Sequence, residues 1–262
     1  TKLSVKDVEN DMRDHYENTP LSVADGKDIG GGIWQMPYRP TPLVFKIDDK
    51  QYFNERPTST QQTGFTYVAQ LRSWMPREIG GILWFGNDDP NMIAYTPIYC
   101  GNNIQPECYN TPGANAVSFN DKNAFWLCNF VSNMTYPRYS LLFPDLKSVR
   151  DSLELSYFNN QKNIEDKAII LYKENPTKAI SFLNDYSNTK ALEMMVAWKK
   201  LATYLIVKYN DMTVKPETAR GCFKRTKEGI GEKVSRPGYP TEYSRELIKQ
   251  TGDKFSYPVI NK

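Results

Sequence analysis

The segment spanning residues 55–89 constrains the fold more than any other part of the chain. Residues 58–70 carry no charge, and their Thr, Ser and Gln side chains alternate with aromatic and aliphatic ones. This composition is typical of a pleated strand that is buried and hydrogen-bonded on both faces. Glycines and the turn formers of residues 87–90 delimit two further apolar runs, 82–85 and 92–99. The segment therefore predicts three antiparallel strands in succession.

The neutral amides and hydroxyls of the first predicted strand admit two interpretations. They could form the floor of a binding site, or they could bond each other and the neighbouring backbone. Either way they must be paired, because a buried amide left without a hydrogen bond costs about 1–3 kcal/mol. Composition alone favours the second interpretation.

Charge and hydropathy argue against nucleic acid and membrane as partners. The chain has 33 basic and 30 acidic residues, and its net charge of +3 is too small to indicate nucleic acid or an anionic membrane surface. No apolar run approaches the ~20 residues of a membrane-spanning helix. No leader segment opens the chain, so the sequence does not decide between a cytoplasmic and an exported protein.

The cysteines do not form a metal-binding pattern. None of Cys100, Cys108, Cys128 and Cys222 occurs in a CxxC pair, and His15 is the only histidine, so we expect neither a metal site nor a cofactor. Cys100 and Cys108 flank a short loop and could be bridged in an exported protein, although free thiols are favoured. Any Ser-His-Asp or Cys-His site within this chain would have to use His15. That residue is predicted to lie, hydrogen-bonded, at the end of a half-buried helix face.

Local signals place the first elements. Ser4 and Asp7 have the spacing of a capping box at a helix start. The glycine run at residues 30–32 lacks the GK[ST] sequence and the following helix of a phosphate-binding loop, which leaves an ordered loop. Residues 43–47 and 51–53 are predicted to form short strands around a turn.

From residue 120 onward the apolar spacing is helical. Asn175 before Pro176 marks a helix start, and Ser187 or Asn188 is predicted to cap a separate helix, the longest in the chain. A polar loop or hairpin and a final helix over residues 240–251 follow.

The order of these elements predicts one α+β domain, with an antiparallel sheet under helices. Residues 1–119 would contain a helix, a loop and the strands. Residues 120–262 would form a mostly helical layer and a tail.

A series of motifs along almost the whole chain carries a family resemblance. They are VENDMRDHYENTPLS (8–22), PYRP (37–40), ERPTSTQQTGF (55–65), IGGILWFGNDD (79–89), YTPIYCG (95–101), AFWLCNFVSN (124–133), LNDYSN (183–188), WKKL (198–201) and RPGY (236–239). On these motifs the sequence resembles the later part of the cysteine dipeptidases of the N-terminal-nucleophile hydrolase superfamily, the dipeptidase A type. Secernins and penicillin-acylase-like enzymes are more distant relatives.

The resemblance implies a four-layer αββα sandwich, of which this α+β chain would be the C-terminal part. It implies hydrolysis of dipeptides by a cysteine that becomes residue one of the mature chain. The cysteine's own α-amine, with an ordinary pKa of ~7.7–8.0, would be the base. Such a site needs no histidine, and amide and backbone N–H groups would hold the oxyanion.

The sequence departs from the family pattern at its beginning. The part of the family that carries the nucleophile has no counterpart before Thr1, and none of the four cysteines matches the catalytic position. Thr1 is disfavoured as a nucleophile, because it stands three residues before the helix cap instead of opening a buried strand. We therefore expect residues 1–262 to be the C-terminal portion of a dipeptidase catalytic domain, with no catalytic residue of its own and no activity alone.

Five residues are predicted to contact substrate: Gln61, Gln62, Thr63, Arg56 and Arg72. The first three would donate hydrogen bonds to substrate or oxyanion from the strand expected to begin at residue 58. The arginines would order the nucleophile or pair with a substrate carboxylate. Structural roles compete with these: Arg56 could cap a strand end, and Arg72 could pair with Glu78 or Asp88. Residues 87–89 could bind a substrate amine or be a plain turn.

The expected partners are a small peptide substrate and an upstream segment of the same protein, with a homo-oligomer as a further option. The alternative function is a non-catalytic peptide-binding or interaction module, in which the neutral strand pairs with an extended peptide. A third hypothesis is a structural half whose exposed sheet face needs the missing segment. Removing half of a two-sheet sandwich uncovers an apolar patch.

Overall fold

The computed structural model of the chain describes residues 2–24, 36–38, 43–53, 56–238 and 241–257. Its helices are α1 (Val5–Met12), α2 (Arg77–Gly80), α3 (Ala124–Thr135), α4 (Tyr139–Glu174), α5 (Pro176–Tyr209) and α6 (Thr241–Thr251). Its strands are β1 (Val44–Ile47), β2 (Lys50–Phe53), β3 (Phe65–Leu71), β4 (Gly81–Asn87), β5 (Thr96–Tyr99), β6 (Glu217–Ala219) and β7 (Cys222–Phe223). The glycine run at residues 30–32 lies outside the described residues.

Helix α1 begins as the sequence predicts. The Asp7 backbone N–H donates to the Ser4 hydroxyl (3.2 Å), and the Asp7 carboxylate accepts from the Ser4 backbone N–H (2.8 Å). The capping box is therefore confirmed. After Met12 the chain carries Arg13 and His15 into the interior, where both are buried.

Strands β1 and β2 form the predicted hairpin, with Ile47 opposite Lys50. Asp48 and Asp49 between them have φ values of 46° and 65°. Positive φ at both central residues is the geometry of two-residue turns that match strand twist, and Asp adopts it more readily than most residues. Both strands are exposed along their length, so the hairpin stands outside the core.

Strands β3, β4 and β5 form an antiparallel sheet in that order, which confirms the three predicted strands. The first begins at Phe65, so the strand expected over residues 58–64 is wrong. Those residues form turns and bends, and the Ser59 N–H donates to the Asp14 carbonyl (3.1 Å). This conformation is stabilised by a contact with Asp14, which follows α1 and is distant in sequence. The composition of residues 58–64 alone could not predict that contact.

The inner face of the sheet supplies the centre of the core. Ile82 and Trp84 are fully buried there, and the Trp84 ring lies 4.6 Å from that of Phe158 in α4, centroid to centroid. Gly86 faces the same side. A Cβ at this position would lie 2.1 Å from Ile93 Cδ1, so a larger residue would have to displace the Ile93 side chain.

The start of α5 is confirmed and the break predicted within it is wrong. The Asn175 side chain accepts from the N–H two residues on (2.9 Å), with Pro176 at the first helical position. The helix then continues for 34 residues without a new start at Ser187 or Asn188. Ser187 is fully buried, because burial of a continuous apolar face outweighs the local preference for a cap.

Helices α4 and α5 run antiparallel. Asp145 contacts Lys208 (2.8 Å) at one end of the pair, and Lys167 lies 4.6 Å from the Phe182 ring centroid at the other. Lys208 also pairs with Glu217 of β6 (2.8 Å). That contact attaches the β6–β7 hairpin, which was predicted as a loop or hairpin, to the helices. Helix α6 follows as predicted.

The described residues confirm the α+β class. Helices cover one face of the β3–β4–β5 sheet, and the second sheet of an αββα sandwich stays a prediction. None of the described helices is long and apolar enough to cross a membrane.

Candidate functional site

At the end of β4, the segment of residues 87–89 meets the segment that contains residues 61–63. Asp88 has a φ of 84°, in the left-handed region that Asp, Asn and Gly adopt most readily. Its N–H donates to the Gly64 carbonyl (3.0 Å). The turn that contains residues 61–63 therefore lies at the same end of the sheet as residues 87–89.

The Asp88 carboxylate is buried between β4 and α3. It accepts from the Asn129 amide (3.0 Å) and from the Ser132 hydroxyl, and that hydroxyl also lies 3.0 Å from the Cys128 carbonyl. Burial raises the pKa of Asp88 to about 7, although both hydrogen bonds act to lower it. The Ser132 hydroxyl has one hydrogen and cannot donate it to both Asp88 and the Cys128 carbonyl. If Asp88 is protonated, its O–H donates to the Ser132 oxygen, and the Ser132 hydrogen goes to the Cys128 carbonyl. The hydrogen-bond pattern and the raised pKa thus both favour a protonated Asp88.

Asp89 fixes the 56–64 segment against the sheet. It is fully buried, and it accepts from the Ser59 hydroxyl and from the Asn91 N–H (2.9 Å). Burial raises the pKa of Asp89, while the nearby His15 and these hydrogen bonds oppose the rise. Because Ser59 immediately precedes the turn of residues 60–64, the position of that turn depends on Asp89.

His15 is more deeply buried than the sequence predicts. Its side chain has no exposed surface, and its Nδ1 lies 3.3 Å from Glu17 Oε1. The ring packs edge-on against Tyr139, with centroids 5.8 Å apart. Burial alone would raise the pKa of Glu17, but the contacts with His15 lower it. His15 therefore holds the connection after α1 in place from inside the protein.

Helix α4 contacts the residues that follow the turn at residues 87–89. Arg150 Nη1 donates to the backbone and side-chain oxygens of Asn91 (2.7 and 2.9 Å), and Glu154 accepts from Arg13 (2.5 Å). Glu9 is fully buried beside this pair, and burial together with the Glu154 charge raises its pKa to about 8. Three elements, α1, the sheet and α4, meet at this buried polar cluster and fix the geometry of the turn.

The structure gathers three of the five predicted substrate-contacting residues. Gln61, Gln62 and Thr63 lie in the turn at the sheet end, where the Thr63 hydroxyl donates to the Thr60 carbonyl (2.8 Å). Arg56 is exposed and precedes this turn by a few residues.

Arg72 lies at the opposite end of β3. It donates to Glu165 (2.6 Å) and to the Gly80 carbonyl (3.2 Å), so the pairing suggested with Glu78 or Asp88 is wrong. β3 has seven residues, which separate Arg72 from the turn by ~23 Å at ~3.3 Å per residue. The structure does not bring Arg72 to the other four residues.

The outer face of the sheet borders the site, although the sequence motifs did not predict it there. Phe65, Tyr67 and Leu71 project from β3 away from the helices and are 59%, 52% and 75% exposed. Phe85 pairs with Tyr67, and Asn87 pairs with Phe65 next to the turn. The alternation of side chains within β3 was the sequence signal for this second face. Thr66 and Val68 are buried, and their neighbours are exposed. An exposed apolar surface therefore borders residues 61–63.

The four cysteines are free thiols, so the optional bridge between Cys100 and Cys108 is not formed. Burial raises the pKa of Cys100, raises that of Cys108 to about 12, and raises that of Cys128 well above its ordinary value. A raised pKa keeps a thiol protonated and weakly nucleophilic at neutral pH. Among the described residues, no group of three or more His, Cys, Asp or Glu side chains could hold a metal ion.

These features define a mixed helix-and-sheet protein with one exposed sheet face and a hydrogen-bonded polar turn at its end. Comparison with known families places it among the peptidases. The chain belongs to peptidase family C69, whose model matches residues 1–152. The matched region includes α1, the sheet, both turn segments and the first part of α4. It confirms the family resemblance seen in the sequence motifs.

Two relatives carry dipeptidase names. A probable dipeptidase of Latilactobacillus sakei is 22% identical over 205 residues, which are 78% of this chain and 37% of the relative. A probable dipeptidase B of Lactococcus lactis subsp. lactis is 23% identical over 168 residues, which are 63% of this chain and 30% of the relative. The chain thus spans about a third of the length of the curated relatives it matches.

Proposed function

We propose that this chain is part of a dipeptidase, in which it supplies one wall of the substrate site and the helical layer behind it. The exposed sheet face beside residues 61–63 and 87–89 carries the proposal. Membership of peptidase family C69 and the dipeptidase names of the two relatives support it.

The turn supplies the polar groups of this wall. Gln61, Gln62 and Thr63 precede Phe65, which pairs with Asn87, so amide and hydroxyl groups border the apolar face of β3 and β4. Donors of this kind hold the carbonyl oxygen of a peptide bond and the oxyanion that forms from it. Arg56, exposed on the same segment, is the candidate partner for the substrate carboxylate.

The nucleophile in this proposal is a cysteine at the start of the mature protein, outside the 262 residues. Its sulfur attacks the peptide carbonyl carbon, while its α-amine takes the thiol proton and delivers it to the leaving amine. Water then hydrolyses the thioester and regenerates the thiol. The raised pKa values of Cys100, Cys108 and Cys128 support a nucleophile elsewhere. The segment that carries the cysteine would cover the outer face of the sheet.

The test compares dipeptide hydrolysis by this chain with hydrolysis by the same chain joined to the upstream segment, each with and without a thiol alkylator. We expect turnover only by the longer protein, and only without the alkylator. Turnover by the short chain would place the nucleophile within the 262 residues, where Thr1 and the four cysteines would be replaced one at a time. Inactivity of both proteins would contradict the dipeptidase proposal.

A second candidate function is peptide binding without turnover. β3 lies at one edge of the described sheet, and an extended peptide could pair with that edge. This candidate predicts that both the short and the longer protein bind dipeptides or longer peptides in equilibrium dialysis, and that the ligand is recovered intact.

A further inference from the structure

A cavity away from the sheet end opens between the loop of residues 104–108 and α5. Its volume is about 460 Å³, which is within the range of small-molecule sites. Pro106, Ala191 and Met195 line it and are buried, so its floor is apolar. None of its lining residues belongs to the candidate site at the end of β4.

The wall of this cavity is held in place before any ligand binds. Asn184 of α5 accepts from the N–H groups of Asn103 and Ile104 (3.2 and 3.3 Å), and its amide donates to the Asn103 side chain (2.7 Å). On the far side of the loop, the Tyr109 and Thr96 hydroxyls are hydrogen-bonded (2.7 Å). A preformed cavity binds with little loss of conformational freedom.

Charges of opposite sign line the cavity. Lys122 and Lys199 line the cavity, and Lys199 also pairs with Asp121 (2.8 Å). Glu107, from the loop of residues 104–108, lines the same cavity. The cavity therefore combines an apolar floor with side chains of both charges.

We propose that this cavity binds a short apolar peptide as a zwitterion. The apolar side chains would contact the floor, the carboxylate would face Lys122 and Lys199, and the ammonium group would face Glu107. The proposal concerns binding at a place distinct from the sheet end and requires no turnover, so it stands or falls independently of the dipeptidase proposal.

Cys108 lines the cavity and reports its occupancy. In a Cys100→Ser/Cys222→Ser protein, in which Cys128 is buried, the rate at which a small thiol reagent modifies Cys108 is measured. The added peptides are Leu-Leu, N-acetyl-Leu-Leu and Leu-Leu amide, and mass spectrometry checks that each stays intact. We expect Leu-Leu to protect at the lowest concentration. Each blocked peptide should need about three- to fivefold more, the effect of one partly exposed charge pair.

Two charge variants assign the rim. Glu107→Gln should remove the preference for Leu-Leu over its acetylated form, and Lys122→Gln should reduce the preference over the amide. Lys200→Gln, next to Lys199 on α5 but outside this cavity, should change neither. Absence of protection, or equal protection by the three peptides, would overturn the proposal. So would equal protection of Cys222 in a Cys100→Ser/Cys108→Ser protein.

Discussion

The two faces of the central sheet differ in what covers them, although the same strands build both. On the inner face, Ile82 and Trp84 have no exposed surface, whereas on the outer face Tyr67 and Leu71 are 52% and 75% exposed. Both faces are apolar. Apolar side chains therefore occur on both faces, but the described residues of this chain bury only those of the inner face. A contiguous exposed apolar face of this kind marks an interaction surface.

The largest expected effect is on the inner face. Trp84→Ala should lower the free energy of unfolding by about 4 kcal/mol, because it leaves a cavity in the core. Tyr67→Ala on the outer face should cost less than about 1 kcal/mol. Urea denaturation of both variants measures the difference. Equal costs would mean that the outer face is covered in solution, and size-exclusion chromatography would then show a dimer.

The next effect separates the two ends of β3. Arg72→Met should cost about 3 kcal/mol, because it leaves Glu165 with a buried, uncompensated charge. Arg56→Met, at an exposed position on the turn side, should change the free energy of unfolding by less than about 0.5 kcal/mol. Thermal and urea denaturation measure both. If Arg72→Met were as mild as Arg56→Met, the Arg72–Glu165 pair would not be a structural anchor in solution.

A pH-dependent effect distinguishes the buried turn from the exposed surface. The pKa of Asp88 is about 7 in the folded protein and 3.8 in the unfolded chain. Between these values the folded state holds a proton that the unfolded state has lost, so rising pH favours unfolding. We expect the free energy of unfolding to fall by about 2 kcal/mol from pH 5 to pH 7 through this group.

Asp88→Asn tests that effect, because its amide can donate to Ser132 as a protonated Asp88 would. The variant should lose the Asp88 part of the pH dependence, while the part that comes from Glu9, whose pKa is also raised, should remain. Urea denaturation at several pH values measures both proteins. Identical pH dependence would show that Asp88 is ionised in the folded protein at pH 5.

The smallest effect on stability is expected in the turn itself. Gln62→Ala, at an exposed position, should change the free energy of unfolding by less than about 0.5 kcal/mol. In the longer protein of the proposed function it should lower kcat/KM for dipeptides about fivefold, the effect of one lost hydrogen bond. Gln51→Ala on the exposed β1–β2 hairpin is the matched control and should leave kcat/KM unchanged. Equal kcat/KM for both variants would remove Gln62 from the substrate wall.

Local chemistry predicted the elements whose contacts are local. The capping box of Ser4 and Asp7, the turn between β1 and β2 and the start of α5 at Pro176 depend on groups a few residues apart. Sequence spacing contains that information. The order of the three strands also followed from the punctuation between apolar runs.

Contacts between distant parts of the chain decided the features that the sequence did not predict. Ser59 is held by Asp89 and by Asp14, which turns an apparent strand into a turn. Arg72 pairs with Glu165 of α4, whereas only nearby acids could be weighed from the sequence. Ser187 is a residue type that often caps the start of a helix, but here it is buried inside α5, which packs on its neighbours. Sequence alone therefore misjudged the backbone of residues 61–63 and the ion-pair partner of Arg72, while the contact of residues 61–63 with substrate stays a prediction.

Helix α4 touches both ends of the sheet. Glu154 meets Arg13 beside the turn, and Glu165 meets Arg72 at the far end of β3. The two glutamates lie ~17 Å apart along the helix axis, at ~1.5 Å per residue. A helix is stiff along its axis, so the turn cannot slide relative to α4 unless the distant ion pair follows or breaks. The two ion pairs attach α4 to the protein at both ends of the sheet. A displacement at one end is therefore transmitted through the helix to the other end.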